Sequence, residues 1–204
     1  ARGYFSGLLD LELIADNTEM MTTARVNTLL NSTMDHGIRR LMGSGNITMP
    51  LDIEPMLRTV ETFWEFCESH NGMGKSVVAI EFFPTEKIRE VAQEATAYAN
   101  RGDYYDAMTS FAWEDPSYDG EVRQFNRSIC KRIRETNGYQ AVAGGHWSKG
   151  PVGVYINIEA DSISSKDAWG VNLPRLRELK KKYDPQNVFN KWHGIAEDTA
   201  EAMS

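Results

Sequence analysis

The chain has 204 residues, of which 41% are hydrophobic and 25% charged; this is ordinary globular composition, long enough to bury one substantial core. The net charge of −7 argues against nucleic acid or an anionic membrane surface as the main partner. No apolar run approaches the roughly 20 residues of a membrane span, and the opening residues lack the pattern of a secretory leader, reading instead as a chain already in mid-fold.

Residues 5–16 alternate Leu9, Leu11 and Leu13 with Asp10 and Glu12, which predicts a half-buried strand. Residues 18–42 read as mostly helical, broken at His36-Gly37. Residues 43–50 read as a loop or short strand; their Gly-Ser-Gly lacks the following Gly-Lys of a phosphate loop. Residues 51–72 are the clearest helix, with Asp52 as cap, Pro55 in the first turn, and an apolar face of Met56, Val60, Phe63, Trp64 and Cys67. Residues 76–84 form a strand, 85–100 leave room for a short helix, and 103–115 form a strand stopped by Pro116. Residues 120–136 predict a basic amphipathic helix built on Val122, Phe125, Ile129, Cys130 and Ile133, its Arg/Lys face solvated. Residues 150–161 predict another strand, and 165–182 a final helix that Pro185 stops.

This order predicts an α+β fold, an antiparallel sheet with helices on one face. The sequence holds no dinucleotide fingerprint, no metal-ligand spacing and no nucleophile elbow. Cys67 and Cys130 read as buried thiols, though a disulfide between them stays open at this point. Three Asn-x-Ser/Thr sequons, at Asn31, Asn46 and Asn126, point to a secreted glycoprotein.

The last third is more distinctive. Tyr155 and Asn157 form a Tyr-x-Asn pair, followed by Trp169, Gly170 and Asn172, then Arg175, Leu176 and Lys180, then Tyr183, Asp184, Pro185, Asn187, Phe189 and Ile195. In this order they resemble the C-terminal segment of berberine-bridge-enzyme-like FAD-linked oxidoreductases, flavoproteins of the vanillyl-alcohol-oxidase type. Tyr98, Arg101 and Trp113 match the middle of that family's substrate domain. The departures are Asn100 for a His, His193-Gly194 for Gln-Ser, and Phe82-Phe83-Pro84 for a Gly-Gly step.

The resemblance implies a substrate-binding α+β domain over residues 1–145 and, over 146–204, a segment that completes a flavin site and packs on a separate FAD-binding domain. FAD would be bound mainly by an N-terminal half that these residues do not contain, and that half is the implied partner. The implied activity is oxidation of an alcohol, sugar or secondary metabolite by hydride transfer to flavin N5, with O2 as acceptor. The second implied reading is a non-redox relative that binds or cyclises its ligand, with FAD structural or absent. The resemblance gives Tyr155 and Glu81 catalytic roles, with Tyr155 as base or hydrogen-bond donor and Glu81 assisting it. It places Asn157, Phe189 and His193 at the cofactor, and Tyr104 and Trp113 at the substrate. No residue is implied as a metal ligand. The bland alternatives are a satisfied core phenol for Tyr155, an outward-facing acid for Glu81, and core packing for Tyr104 and Trp113.

Overall fold

The structure is a computed structural model that describes residues 3, 6–11, 19–29, 31, 36–102, 104–137, 154–158 and 163–195. The chain divides into two compact units, Ala1–Gly37 and Ile38–Ser204. In the first, α1 (Ser6–Leu9) and α2 (Thr23–Val26) are short helices, and Thr22 caps α2 by accepting from the Arg25 N–H. The expected strand over 5–16 is therefore corrected at Ser6–Leu9, where the Asp10 N–H closes a helical turn onto the Ser6 carbonyl at 3.1 Å. A short alternation says which face a strand could bury, not that a partner strand exists. The rest of that alternation, 12–16, lies outside the described residues.

The second unit is built on a three-stranded antiparallel sheet in the order β1 (Arg39–Thr48), β3 (Tyr104–Trp113), β2 (Val77–Glu81). β1 corrects one expectation and decides another: residues 39–42 are strand rather than helix, and of the loop or short strand expected over 43–50 it is the strand that forms, Gly43 to Thr48 continuing β1. Leu41 pairs with Phe111, Gly43 with Thr109 and Gly45 with Ala107, while Val78 and Ile80 of β2 meet Thr109 and Ala107. All of these lie on one face of the sheet, because side chains alternate along a strand.

Two helices cover that face, α3 (Ile53–Glu68) and α5 (Asp119–Asn137). Phe63 and Cys67 of α3 and Val122, Ile129 and Cys130 of α5 close on Leu41, Phe111 and Trp113. The Phe63 and Phe111 rings lie 4.9 Å apart, and Phe66 stacks on Phe125 at 3.9 Å. The apolar periodicities of 51–72 and 120–136 find their partners here. Trp64 is the exception on α3, 43% exposed. Thr59 is buried in its place, its hydroxyl donating to the Pro55 carbonyl at 2.9 Å. Asp52 takes the N-cap position without a side-chain cap bond. Cys67 and Cys130 are buried thiols that form no disulfide.

The two glycines of β1 set how closely α5 approaches. A Cβ on Gly43 would lie 2.6 Å from the Asn126 amide and 2.7 Å from Cys130 Sγ; one on Gly45 would lie 2.7 Å from Ile133 Cγ2. Gly43→Ala is therefore expected to destabilise the chain. Overpacking costs about 1–3 kcal/mol, against roughly 0.5–1 kcal/mol gained by stiffening the unfolded chain. A lower urea midpoint at unchanged m-value is the expected readout; an unchanged midpoint would mean α5 does not press on this strand.

Two further expectations are corrected at the C-terminal side. Among the described residues, Val154 to Ile158 form no strand: the Ile158 N–H bonds the Tyr155 carbonyl at 3.1 Å in a turn, and the Val154 N–H is taken by the Asp167 carbonyl. The remainder of the expected strand, 150–153 and 159–161, lies outside the described residues. The single helix over 165–182 is instead broken into α6 (Ser165–Trp169), a 3-10 turn (Gly170–Asn172) and α7 (Leu173–Tyr183). Gly170 has φ of 50°, a left-handed step that favours glycine, and Pro174 lies in the first turn of α7. Of the three sequon asparagines, Asn46 and Asn126 are buried and Asn31 is exposed.

Candidate functional site

The face of the sheet away from α3 and α5 carries a different chemistry. Across it, in register, run Asn46 of β1, Asp106 of β3 and Glu81 of β2. Asn46 is 0% exposed and Asp106 6%. Asn46 Nδ2 donates to Asp106 Oδ1 at 2.8 Å. Burial pushes the Asp106 carboxyl up to about 6, and the charge of neighbouring Glu81 pushes the same way. Glu81 itself, at the end of the edge strand, is exposed.

The loop between α4 (Glu86–Arg89) and β3 brings a second set of groups. Burial, with the fields of Asp106 and Tyr155, pushes the Tyr98 phenol up to about 12, and nearby Arg101 offsets part of this. The Arg101 guanidinium lies 5.3 Å from the Tyr98 ring centre and donates to the Thr96 hydroxyl at 2.9 Å. The Tyr98 and Tyr155 rings meet edge to face, with centres 6.3 Å apart. Asn157 Nδ2 donates to the Tyr155 hydroxyl at 3.1 Å. A cavity of about 200 Å3 opens here, lined among others by Tyr98, Asn100, Tyr155, Asn157 and Trp169.

The broken C-terminal helix fixes this wall. At the 3-10 turn, Asn172 is buried and its amide donates to the carbonyls of Gln93 (3.1 Å) and Tyr98 (3.4 Å). The helix break therefore anchors the loop that carries Tyr98. Beyond α7, Asp184 accepts from the N–H groups of Val188 (2.8 Å) and Phe189 (3.0 Å) and pairs with Lys180, whose ammonium holds its carboxyl below the usual range. At the far end of the tail, Gly194 accepts through its carbonyl from the Ser165 hydroxyl (2.9 Å) and the Trp169 indole (3.2 Å). Between these ties Phe189 and Trp192 stand 84% and 85% exposed.

The structure brings together Tyr155 and Asn157, both on the cavity wall. Glu81 lies beside Asp106 rather than in that wall. Trp113 is on the helix-covered face, 2% exposed, with its indole donating to Asp119 at 2.9 Å, so it does not line this cavity. The backbone of Tyr104 pairs with Thr48, and its side chain lies outside what is described. Phe189 is on the exposed tail and His193 near its tied end, half-buried. Three residues escaped the sequence reading as site members: Asp106, Asn46 and Tyr98. The available signal was Asp106, an acid inside the central stretch of an otherwise apolar strand pattern, where carboxylates are rare without a partner or a task. Among the described residues no cluster of His, Cys, Asp or Glu could hold a metal ion.

Residues 154–196 match the family described as berberine and berberine-like. The FAD-linked oxidoreductase pgmH of Aspergillus terreus is 34% identical over 163 residues, covering 77% of this chain and 33% of that protein. The FAD-linked oxidoreductase fogF of Aspergillus ruber is 31% identical over 147 residues, covering 68% and 26%. Among solved structures, CrmK, a flavoenzyme of caerulomycin biosynthesis, superposes with a TM-score of 0.57 at 22% identity, covering 79% of this chain and 33% of that one. A variant of berberine bridge enzyme superposes with a TM-score of 0.56 at 15% identity, covering 78% and 33%. At these identities the two structures speak for the fold alone. The chain spans about a third of the length of pgmH and of both flavoenzymes. It belongs to the berberine-bridge-like family of FAD-linked oxidoreductases and corresponds to the C-terminal part of such an enzyme.

Proposed function

We propose that this chain is the substrate-side part of an FAD-dependent oxidase acting on an alcohol, a sugar or a secondary metabolite. The observation that carries this reading is the meeting of two phenols, Tyr98 and Tyr155, on the wall of an open cavity, with the buried carboxyl of Asp106 close enough for its charge to raise the Tyr98 phenol. A carboxyl with pKa of about 6 is ionised at neutral pH yet still a useful base, which suits removal of a hydroxyl proton. Tyr98, pushed to about 12, stays protonated at neutral pH and keeps an O–H to donate. Tyr155, oriented by Asn157, offers its O–H to a substrate oxygen. Glu81 keeps Asp106 basic by its charge.

The cofactor fits this wall in part. Three aromatic side chains, Tyr98, Tyr155 and Trp169, and the Asn157 amide around about 200 Å3 suit one edge of a flat conjugated ring, and no described residues form a glycine-rich phosphate cradle. Tyr155 and Asn157, with Phe189 and His193 of the tail, would hold the ring edge. Bound there, FAD supplies the hydride acceptor and passes the electrons to O2. The rest of the cofactor falls to a flavin-binding part of the enzyme, the proposed partner, which the exposed Phe189 and Trp192 side chains would meet. In this division residues 1–145 serve substrate and 146–204 complete the flavin site. Secretion is part of the proposal on the strength of the exposed Asn31 sequon, and loss of mass on treatment with a peptide glycosidase tests it.

Stopped-flow reduction of the bound flavin tests the central reading. Tyr155→Phe is expected to slow reduction about 10²-fold, as loss of one positioned donor does, with the oxidised flavin spectrum unchanged. An unaltered rate removes Tyr155 from the chemistry. A holoenzyme that no alcohol, sugar or secondary metabolite reduces supports the non-redox relative instead.

A further inference from the structure

Asn46 and Asp106 lie 60 residues apart in sequence and opposite each other in the β1–β3 register. The Asn46 amide is wholly buried, makes one hydrogen bond, Nδ2 to Asp106 Oδ1 at 2.8 Å, and leaves its own Oδ1 buried with no hydrogen-bond partner among the described residues. A buried acceptor without a donor is costly and asks for a reason. An amide held by one bond can turn over about its last torsion, exchanging oxygen for nitrogen in almost the same volume. As drawn, it donates to a carboxylate. Turned over, it accepts from the O–H of a carboxylic acid.

We infer that Asn46 is a positioning residue for Asp106, holding that carboxyl in one rotamer in both protonation states by turning its amide as the proton arrives and leaves. The inference deepens, and rests on, the reading of Asp106 as the acid–base group. In the resting state the carboxylate accepts from Nδ2. Once Asp106 has taken a proton, its new O–H donates to Asn46 Oδ1, and no buried polar atom of the pair is left facing another of its own kind. The groups that face Asp106 are Glu81 in register from β2 and Tyr98 from the preceding loop, and Arg101 and Tyr155 in turn surround Tyr98. β1 carries its charges at its far end, Arg39 and Arg40, and the Arg134 guanidinium of α5 donates to the Ser44 carbonyl at 3.0 Å. Glu81 favours the protonated form of Asp106, and Asn46 in its donating orientation opposes it, so the two neighbours in the row tune one carboxyl from opposite sides.

The test uses the complete FAD-loaded enzyme labelled with carboxyl-13C aspartate, in which Asp106 is assigned by its loss in Asp106→Asn. In Asn46→Leu, which keeps the size and removes the bond, the Asp106 titration is expected to move up by about one pH unit. The ionised fraction at pH 6 then falls from about a half to about a tenth. kcat at pH 6 should drop about 5-fold, recover above pH 8, and leave KM unchanged, a pattern that mere loosening of the sheet would not give. Asn46→Asp, isosteric with the native residue, supplies the same readout if the Leu variant does not fold, with a larger upward movement from the added charge. An Asp106 titration that stays within about 0.2 pH unit in whichever of these variants folds overturns the inference. A titration that moves without the rate profile following upholds the Asn46–Asp106 coupling and overturns the acid–base reading of Asp106.

Discussion

Asp106→Asn is expected to lower kcat by about 10²–10⁴-fold, the usual contribution of a positioned general base, and to make the folded chain more stable at neutral pH. The two effects have one cause. The carboxyl ionises near 3.8 when exposed and at about 6 in the fold. Its folded-state pKa is raised, so the folded state holds the proton more tightly than the unfolded one. Stability is therefore greatest below the unfolded value, falls as pH rises from about 4 to about 6, and stays lowered above that. An amide cannot ionise and escapes this loss, which is at most about 3 kcal/mol for a difference of this size. Part of that gain is returned, because the bond from Asn46 to a charged acceptor becomes one to a neutral amide, a loss of about 1 kcal/mol. Urea unfolding at pH 5 and pH 8 reads the difference directly: the variant should gain more over the native chain at pH 8. A variant less stable at both pH values and unaltered in turnover would make Asp106 a structural residue only.

Phe111→Ala is expected to cost about 3–5 kcal/mol, the range for deleting a buried aromatic ring. Phe111 is fully buried near the C-terminal end of the central strand, with its ring 4.9 Å from Phe63, 6.0 Å from Phe66 and 5.9 Å from Phe125. It touches both covering helices at once, so neither can collapse into the space without leaving the other. Small domains are stable by about 5–15 kcal/mol in total, and the variant should therefore lose much of its cooperative thermal transition. Trp64→Ala on α3 is the control; the residue is 43% exposed and its loss should cost far less. A Phe111 variant within about 1 kcal/mol of the native chain would show that the aromatic cluster is not the centre of the core.

These two residues also show how much the sequence could tell. Phe111 belongs to a strand whose apolar pattern was legible, as were the amphipathic helices at Ile53–Glu68 and Asp119–Asn137, because periodicity reports a burial that one element completes by itself. The failures share a different origin. Gly43 and Gly45 left loop and short strand undecided because glycine is a poor strand former, and the reason for them lies on another element, in Asn126, Cys130 and Ile133. Val154 to Ile158 alternate as a strand does, but no ladder partner receives them among the described residues. Gly170 and Pro174 stood in a continuous helical pattern, and only the backbone step at φ 50° revealed the break. At the site, Tyr155 and Asn157 were found because they are two residues apart in a motif. Asp106 was not, because its environment is made by Asn46 and Glu81, brought beside it only by strand register.

The paired glycines of β1 have an evolutionary consequence. By letting α5 press directly on the strand backbone, they tie the register of β1 to one helix, so that an insertion or deletion within the strand would exchange its two faces at once. Point substitutions at alternate positions meet no such barrier. Residues facing α5 answer to packing, and under the proposed function those facing away answer to catalysis, with little trade between the two sets. A lineage can therefore exchange Asn46, Asp106 or Glu81 one at a time while inheriting the helix-covered half intact.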